Sequence, residues 1–346
     1  MKLTVAAENP LERAALALGI PPVALMDTHL SFLRARAIMV ATRLGVFDAL
    51  ASAPATADAV AARCSTSPRA TAKLLNALVG SGYLRFAADS YRLAPIARKW
   101  LTRDSPHSIR DKVLFEFVEW SIVERVEEYV RDGRPVEIHA SESDEQWGLY
   151  QRAMRALTAI AAPEIVRRVP VPSGATRLLD IGGSHGYLSV AMCRRHAGLS
   201  AVVLDLPAAV RHAAPILARE GMGSRVVHRP GDARTDDLGA EAWDVVFVSL
   251  LVHHFDEATN RELVRRITRA LRPGGICVVL EIVRPASPNE AGQVGALLDL
   301  YYALTSESGT WSIEEMSGWQ RGAGLTPRKT IRLRTTPGGA AIVARR

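Results

Sequence analysis

The sequence predicts an α/β protein. A doubly wound, mostly parallel sheet with an antiparallel last strand follows a smaller, mainly helical domain of winged-helix type. Three observations carry this. From about residue 175, short runs rich in Val, Leu and Ile recur: RLLDI, AVVLDL, RVVH, WDVVFVSLL and GICVVLEIV. Helical stretches separate most of them, the alternation that winds a parallel sheet. Over the first hundred or so residues, helices lead into one hairpin. At the end of the chain, RKTIRLRT and AAIVARR flank Pro337-Gly338-Gly339, so the sheet should close antiparallel. The domains are placed at 1–105 and 106–346, the second opening with a helical linker or lid.

In chain order, HLSFLRARAIMVATRL spaces Leu30, Leu33, Ala37, Val40 and Leu44 along one helical face. Gly45 stands where a helix C-terminus favours glycine. TADAVAARC is a short helix. Ser67-Pro68 opens the next, with serine as N-cap and proline in the first turn. Leu74, Leu75 and Leu78 are its apolar positions, and Gly80 and Gly82 end it. YLRF, AADS and YRLA form the hairpin. Residues 106–170 read as further helices around a polar loop, HASESDEQ, at 139–146. In the second domain LSVAMCRRH, PAAVRHAAPILARE, an acidic segment near DDLGAE, and ATNRELVRRITRALRP are the expected crossovers.

The 346 residues suffice for two domains, and 48% hydrophobic with 23% charged residues is an ordinary globular balance. No window approaches the roughly 20 apolar residues that cross a bilayer. The amino-terminal stretch is broken by Glu8, Asn9, Pro10, Glu12 and Arg13, unlike a signal peptide, and predicts a cytoplasmic protein. Cys64, Cys193 and Cys277 form no CxxC pair, which argues against a disulfide framework or zinc ribbon. A net charge of +7 hints at nucleic acid, but the positive charge is scattered arginine rather than a block.

The first strand runs into LLDIGGSHGYLSV, with Gly182, Gly183 and Gly186 after Asp180 and a helix behind them. Such a loop lets a ligand approach the backbone closely. The second strand ends in Asp205, suited to ribose hydroxyls. PGDA follows the third and places Asp232 where it can accept from an adenine amino group. Ribose, adenine and no phosphate-binding lysine suggest S-adenosylmethionine rather than ATP. NAD is the nearer rival, although GGSHG lacks the G-x-G-x-x-G spacing.

SLLVHHFDE, at 249–257, sets His253 and His254 just past the fourth strand. They read as a catalytic base, a metal site with His185 as a possible partner, or structure. Glu281 ends the fifth strand, the expected neighbour of the fourth, so a carboxylate can orient His253. A base there would take a phenolic proton during transfer to oxygen.

GVFDAL, SPRATAKLLNALVGSGYL, QRAM at 151–154, LLDIGGSHG, VVLDLP, PGDA and RALRPGG together resemble the small-molecule O-methyltransferases of the caffeic acid and hydroxyindole type, including bacterial antibiotic-tailoring members. The resemblance covers almost the whole chain. It implies a class I methyltransferase sheet, a winged-helix-like dimerisation domain and a homodimer. It also implies a cofactor site at Asp180, Gly182, Gly183, Gly186, Asp205, Leu206, Asp232, Ala233 and Ser249. By the same resemblance His253 is the general base and Glu281 its partner, with no metal. Four positions depart from the family. His254 and Phe255 replace Asp and Trp, Ser184 replaces a third loop glycine, and a second supporting glutamate is absent near Thr310. Glu314 and Glu315 should face elsewhere.

The acceptor is expected to be an aromatic or polycyclic small molecule of secondary metabolism, held by Phe115, Trp120, Trp147, Tyr150, Met154 and Tyr302. Neither nucleic acid nor membrane is an expected partner. Two alternatives stay open. One is a C-methyltransferase, or a non-methylating S-adenosylmethionine enzyme of the same fold. The other is a winged-helix DNA-binding regulator reading DNA through Arg69, Lys73 and Asn76.

Overall fold

The computed structural model describes residues 3–136 and 144–346. Most of the expected polar loop at 139–146 lies outside them, and Asp144 already opens a helix. The chain divides into two compact units, Lys2–Phe117 and Val118–Arg346. The division falls inside the helix Arg110–Val123, where no change of composition marks it.

The first unit is built as its caps dictate. Thr56 caps Ala57–Cys64, and the Ser67 side chain accepts from the Ala70 N–H to cap Pro68–Gly80. Strands β1 (Leu84–Ala87) and β2 (Ser90–Leu93) pair antiparallel around Ala88 and Asp89, which both take positive φ, the conformation a two-residue hairpin turn requires. Leu75 and Leu78 are fully buried, as are Phe47, Leu50 and Val60. The Asn76 side chain accepts from the Tyr91 hydroxyl at 2.8 Å, so one of the three residues of the DNA-reading alternative is bound into the fold.

One expectation is corrected here. The stripe of Leu30, Leu33, Ala37, Val40 and Leu44 is not the buried face of the helix Ser31–Arg43: Leu30, Leu33 and Leu44 are exposed, and Met39, Ala41 and Thr42 are buried. Periodicity identifies a stripe, but a stripe can serve a partner as well as a core. Leu18, Ile20, Leu25 and Phe32 extend this exposed apolar surface.

The second unit holds the sheet. Its strands are β3 (Arg177–Ile181), β4 (Ser200–Asp205), β5 (Val226–Pro230), β6 (Trp243–Ser249), β7 (Leu271–Ile282), β8 (Thr326–Pro327), β9 (Ile331–Arg332) and β10 (Gly339–Arg345). The order is β5-β4-β3-β6-β7-β10-β8, with β9 also on β10. The first five strands are parallel, and β10 runs antiparallel to β7.

Both faces are covered, which is why the strands read as continuous apolar runs. Leu179, Ile181, Val246, Val248 and Val279 pack with residues of the helices Glu257–Ala270 and Ile313–Gly322. The alternate residues Leu178, Val245, Phe247 and Val278 pack with Ile165 of the helix Asp144–Arg168 and with Leu188 and Met192 of Tyr187–Arg195.

Two further differences have local causes. The DDLGAE segment forms no helix; β5 reaches β6 through turns. Side chains satisfy that loop's backbone instead: the Arg266 guanidinium donates to the carbonyls of Ala233 and Asp236, and Asp237 accepts from the Gly239 N–H. β7 starts at Leu271, before the expected GIC, because a register shift against β6 absorbs the Pro-Gly-Gly. No helix among the described residues is long and apolar enough to cross a membrane.

Candidate active site

The carboxyl ends of β3, β4, β6 and β7 form one mouth. Asp180 lies at the end of β3, 1% exposed, and its Oδ2 accepts from the Ser189 hydroxyl at 2.7 Å. Its Oδ1 is buried with no partner. Burial pushes this carboxyl up to about 7; the Ser189 hydroxyl pulls it down and the Asp205 carboxylate adds to the rise. The backbone is equally close. A Cβ on Gly183 would fall 2.5 Å from the Asp180 carboxyl carbon, and Gly182 and Gly186 both take positive φ. Substitution in this loop would displace the carboxylate.

Asp205 ends β4. Its Oδ2 accepts from the Ser184 N–H at 2.7 Å and its Oδ1 from the Leu206 N–H at 2.8 Å. These two bonds fix the carboxylate in orientation. Asp232 differs from the expectation of an open acceptor: the Arg234 guanidinium grips both its oxygens, holding the carboxyl below its usual range. Ser249, the last residue of β6, has a buried hydroxyl without a partner.

Beyond Ser249, Leu250 takes φ +50° and the chain turns into a short 3-10 turn, Val252–His254. The Leu250 N–H donates to the Leu280 carbonyl, tying this turn to β7. His253 and Glu281 are 4% and 2% exposed, and Nδ1 lies 3.1 and 3.0 Å from the two Glu281 oxygens. Glu281 Oε1 also accepts from the Ile282 N–H. Facing a carboxylate, Nδ1 is the donor of this contact. The Trp311 indole N–H and the Asn260 amide both donate to the Val252 carbonyl, and the Ser308 N–H donates to that of His253.

Tyr302 packs edge-on against His253, ring centroids 4.6 Å apart, and His254 lies 4.1 Å away on the same measure. Burial raises the Tyr302 phenol above its ordinary range, and the Glu281 carboxylate and the Tyr150 phenol add to this. Trp147 and Tyr150 meet edge-to-face on Asp144–Arg168, and Met154 follows one turn on. Trp120 is on Arg110–Val123. Phe115 is buried in the other unit.

Four residues were missed in the sequence. Asp299 accepts from the Thr310 hydroxyl, so a carboxylate from the helix Pro288–Thr305 reaches the position that lacks the family's second glutamate. Glu119 accepts from the Tyr301 hydroxyl at 3.0 Å. Gln151 binds Ser184, and Arg234 clamps Asp232. Asp299, Glu119 and Gln151 act through contacts distant in sequence, which no motif spacing encodes; Arg234 stands two residues from Asp232 and folds back on it. Glu315 caps its own helix and pairs with Arg284, and Glu314 pairs with Arg321, away from His253.

The metal alternative finds no geometry to support it. Among the described residues no three His, Cys, Asp or Glu side chains gather to hold an ion. His185 spends both ring nitrogens: Nδ1 accepts from the Tyr187 N–H at 3.0 Å, so Nε2–H donates to the Thr158 hydroxyl at 3.3 Å. Burial, with Arg155 nearby, drives its pKa down to about 3 and keeps it neutral.

Comparison with known proteins follows the same division. Residues 26–103 match the O-methyltransferase dimerisation domain, and residues 128–325 the O-methyltransferase domain. The chain is 27% identical to a 3-hydroxy-5-methyl-1-naphthoate 3-O-methyltransferase of Streptomyces sahachiroi, over 93% of this chain and 94% of that protein. It is 26% identical to an L-tyrosine C(3)-methyltransferase of Streptomyces lavendulae, over 88% of each. Its fold matches human N-acetylserotonin methyltransferase, solved in complex with S-adenosylmethionine, with a TM-score of 0.83 at 21% identity over 99% of both chains. With more than half its length in the catalytic domain match, the chain belongs to the O-methyltransferase family.

Proposed function

We propose that the protein transfers the methyl group of S-adenosylmethionine to a hydroxyl of an aromatic or polycyclic small molecule of secondary metabolism, with His253 as general base and Glu281 holding it. The observation that carries this reading is the buried His253–Glu281 pair at the mouth of the sheet.

The residues of that mouth fit the cofactor. Asp180 Oδ1 and Ser249 Oγ are buried acceptors waiting for a donor, and the glycine loop leaves room at the backbone. Asp205 and Leu206 would bind the ribose side, and Asp232 and Ala233 the adenine side. S-adenosylmethionine supplies an activated methyl and a neutral sulfide leaving group. The protein's part is to orient the acceptor oxygen and remove its proton.

His253 Nε2 takes the hydroxyl proton as the new O–C bond forms. Glu281 fixes the tautomer and offsets the positive charge that the ring then carries. Tyr302 packs on the imidazole and limits its rotation. Trp120, Trp147, Tyr150, Met154 and Tyr302 would supply apolar walls for a planar acceptor.

A homodimer through the first unit is the matching assembly. Its exposed stripe of Leu30, Phe32 and Leu33 is apolar surface of the kind a second copy covers. Light scattering on the purified chain should give twice the chain mass.

The function is tested by incubating the protein with S-adenosylmethionine and a panel of phenols, and reading product mass and NMR. Methyl on oxygen, lost with His253→Ala while S-adenosylhomocysteine still binds, is the expected result. A product methylated on carbon would move the reading to a C-methyltransferase. Unchanged turnover in the variant would remove His253 as base.

A further inference from the structure

Ser184 stands in the glycine loop with φ +53°. That backbone region suits glycine, and a serine there is held at a conformational cost. What serine has and glycine lacks is a hydroxyl. Here it donates to Gln151 Oε1 at 2.5 Å, and Gln151 is 1% exposed on the helix Asp144–Arg168. The next residue does the same: His185 Nε2–H donates to Thr158 of that helix. Arg155, between them, lies over the Tyr187 ring at 4.5 Å. Gln151, Arg155 and Thr158 form one face at spacings of four and three. Trp147, Tyr150 and Met154 lie on the adjoining stripe.

We propose that Ser184 and Gln151 are positioning residues that tie the glycine loop to this helix, so that a cofactor seated on the loop fixes the helix that lines the acceptor pocket. The proposal rests on the assignment of Trp147, Tyr150 and Met154 to the acceptor. The Ser184 N–H is bound to Asp205 at the same time, so one residue joins the ribose-side carboxylate to the acceptor helix. The two bonds make the loop's position and the helix's position a single variable.

The test is hydrogen exchange on the full chain with and without S-adenosylhomocysteine, with calorimetric affinity alongside. In the wild type the ligand should slow exchange in peptides covering both 178–190 and 147–158. In Ser184→Gly the loop keeps its protection and the melting temperature does not fall, because glycine accepts the positive φ. Protection of 147–158 drops by about five-fold, the worth of one net hydrogen bond in a local opening equilibrium. Gln151→Met should reproduce this, and the double variant should be no worse than either single. Helix protection in Ser184→Gly equal to the wild type would overturn the proposal, as would a wild-type helix that the ligand leaves unprotected. The acceptor assignment fails by a different readout: Trp147→Ala would then leave the KM of a methylated phenol unchanged while the exchange result stands.

Discussion

Two carboxylates at opposite ends of the sheet, Asp244 and Asp180, are treated in opposite ways. At the amino end, Asp244 accepts from the Thr176 and Arg177 N–H groups and from Arg272. Burial pushes its carboxyl up, but these donors together hold it below its usual range. At the carboxyl end, Asp180 is more deeply buried, has one neutral donor, and keeps an oxygen without a partner. Satisfied charge closes the first end as structure. Incomplete satisfaction at the second marks groups kept for a ligand, at a cost to the unliganded fold.

The largest effect that would sharpen this contrast is chemical. His253→Ala should lower turnover about 10²–10⁴-fold, the usual worth of a positioned general base. Affinity for S-adenosylhomocysteine, by calorimetry, should stay the same. At the other end, Asp244→Ala should cost about 3 kcal/mol of stability in urea, because two backbone N–H groups lose their acceptor. Its cofactor affinity should not change; a loss there would break the contrast.

Asp180→Asn comes next and gives the pH signature. In the folded state burial raises the Asp180 pKa to about 7, above the ordinary aspartate value of 3.8. Between those limits the folded state holds a proton that the unfolded state has released. Wild-type stability therefore falls as pH rises through this window, and the asparagine variant lacks that slope. Urea midpoints of the unliganded proteins at pH about 5 and about 8 read the difference. An identical slope in both would show that Asp180 is not the strained group. The smallest effect belongs to Ser249→Ala. Stability should hold or rise slightly, since a buried hydroxyl without a partner is removed, while cofactor affinity falls by about five-fold.

Much of this was readable in the chain itself, for a physical reason. Short-range rules act on neighbouring residues, so Ser67 capping its helix and Gly45 ending one followed from the sequence. The meeting of His253 and Glu281 followed too, because consecutive parallel strands bring their carboxyl tips together. What failed depended on partners elsewhere in the chain. Leu30 and Leu33 had the right spacing, but spacing does not say which face is covered. DDLGAE was taken for a crossover helix, and Arg266 instead ties the loop from 30 residues away. The bond from Thr310 to Asp299, on another helix, is likewise between residues that no motif links.

The pair proposed as catalytic sits on β7 and on the turn after β6, its neighbour at the centre of the sheet, while the residues assigned to the acceptor stand on helices outside it. Chemistry and selectivity are thus written on separate parts of the chain. On that proposal, changes at 147–154 alter which molecule is bound without touching the His253–Glu281 pair, whereas Tyr302 packs on the imidazole and serves both. A lineage could then change acceptors through steps that each leave a working enzyme, and a laboratory library confined to 147–154 should recover new acceptors at a higher rate than one spread along the whole sequence.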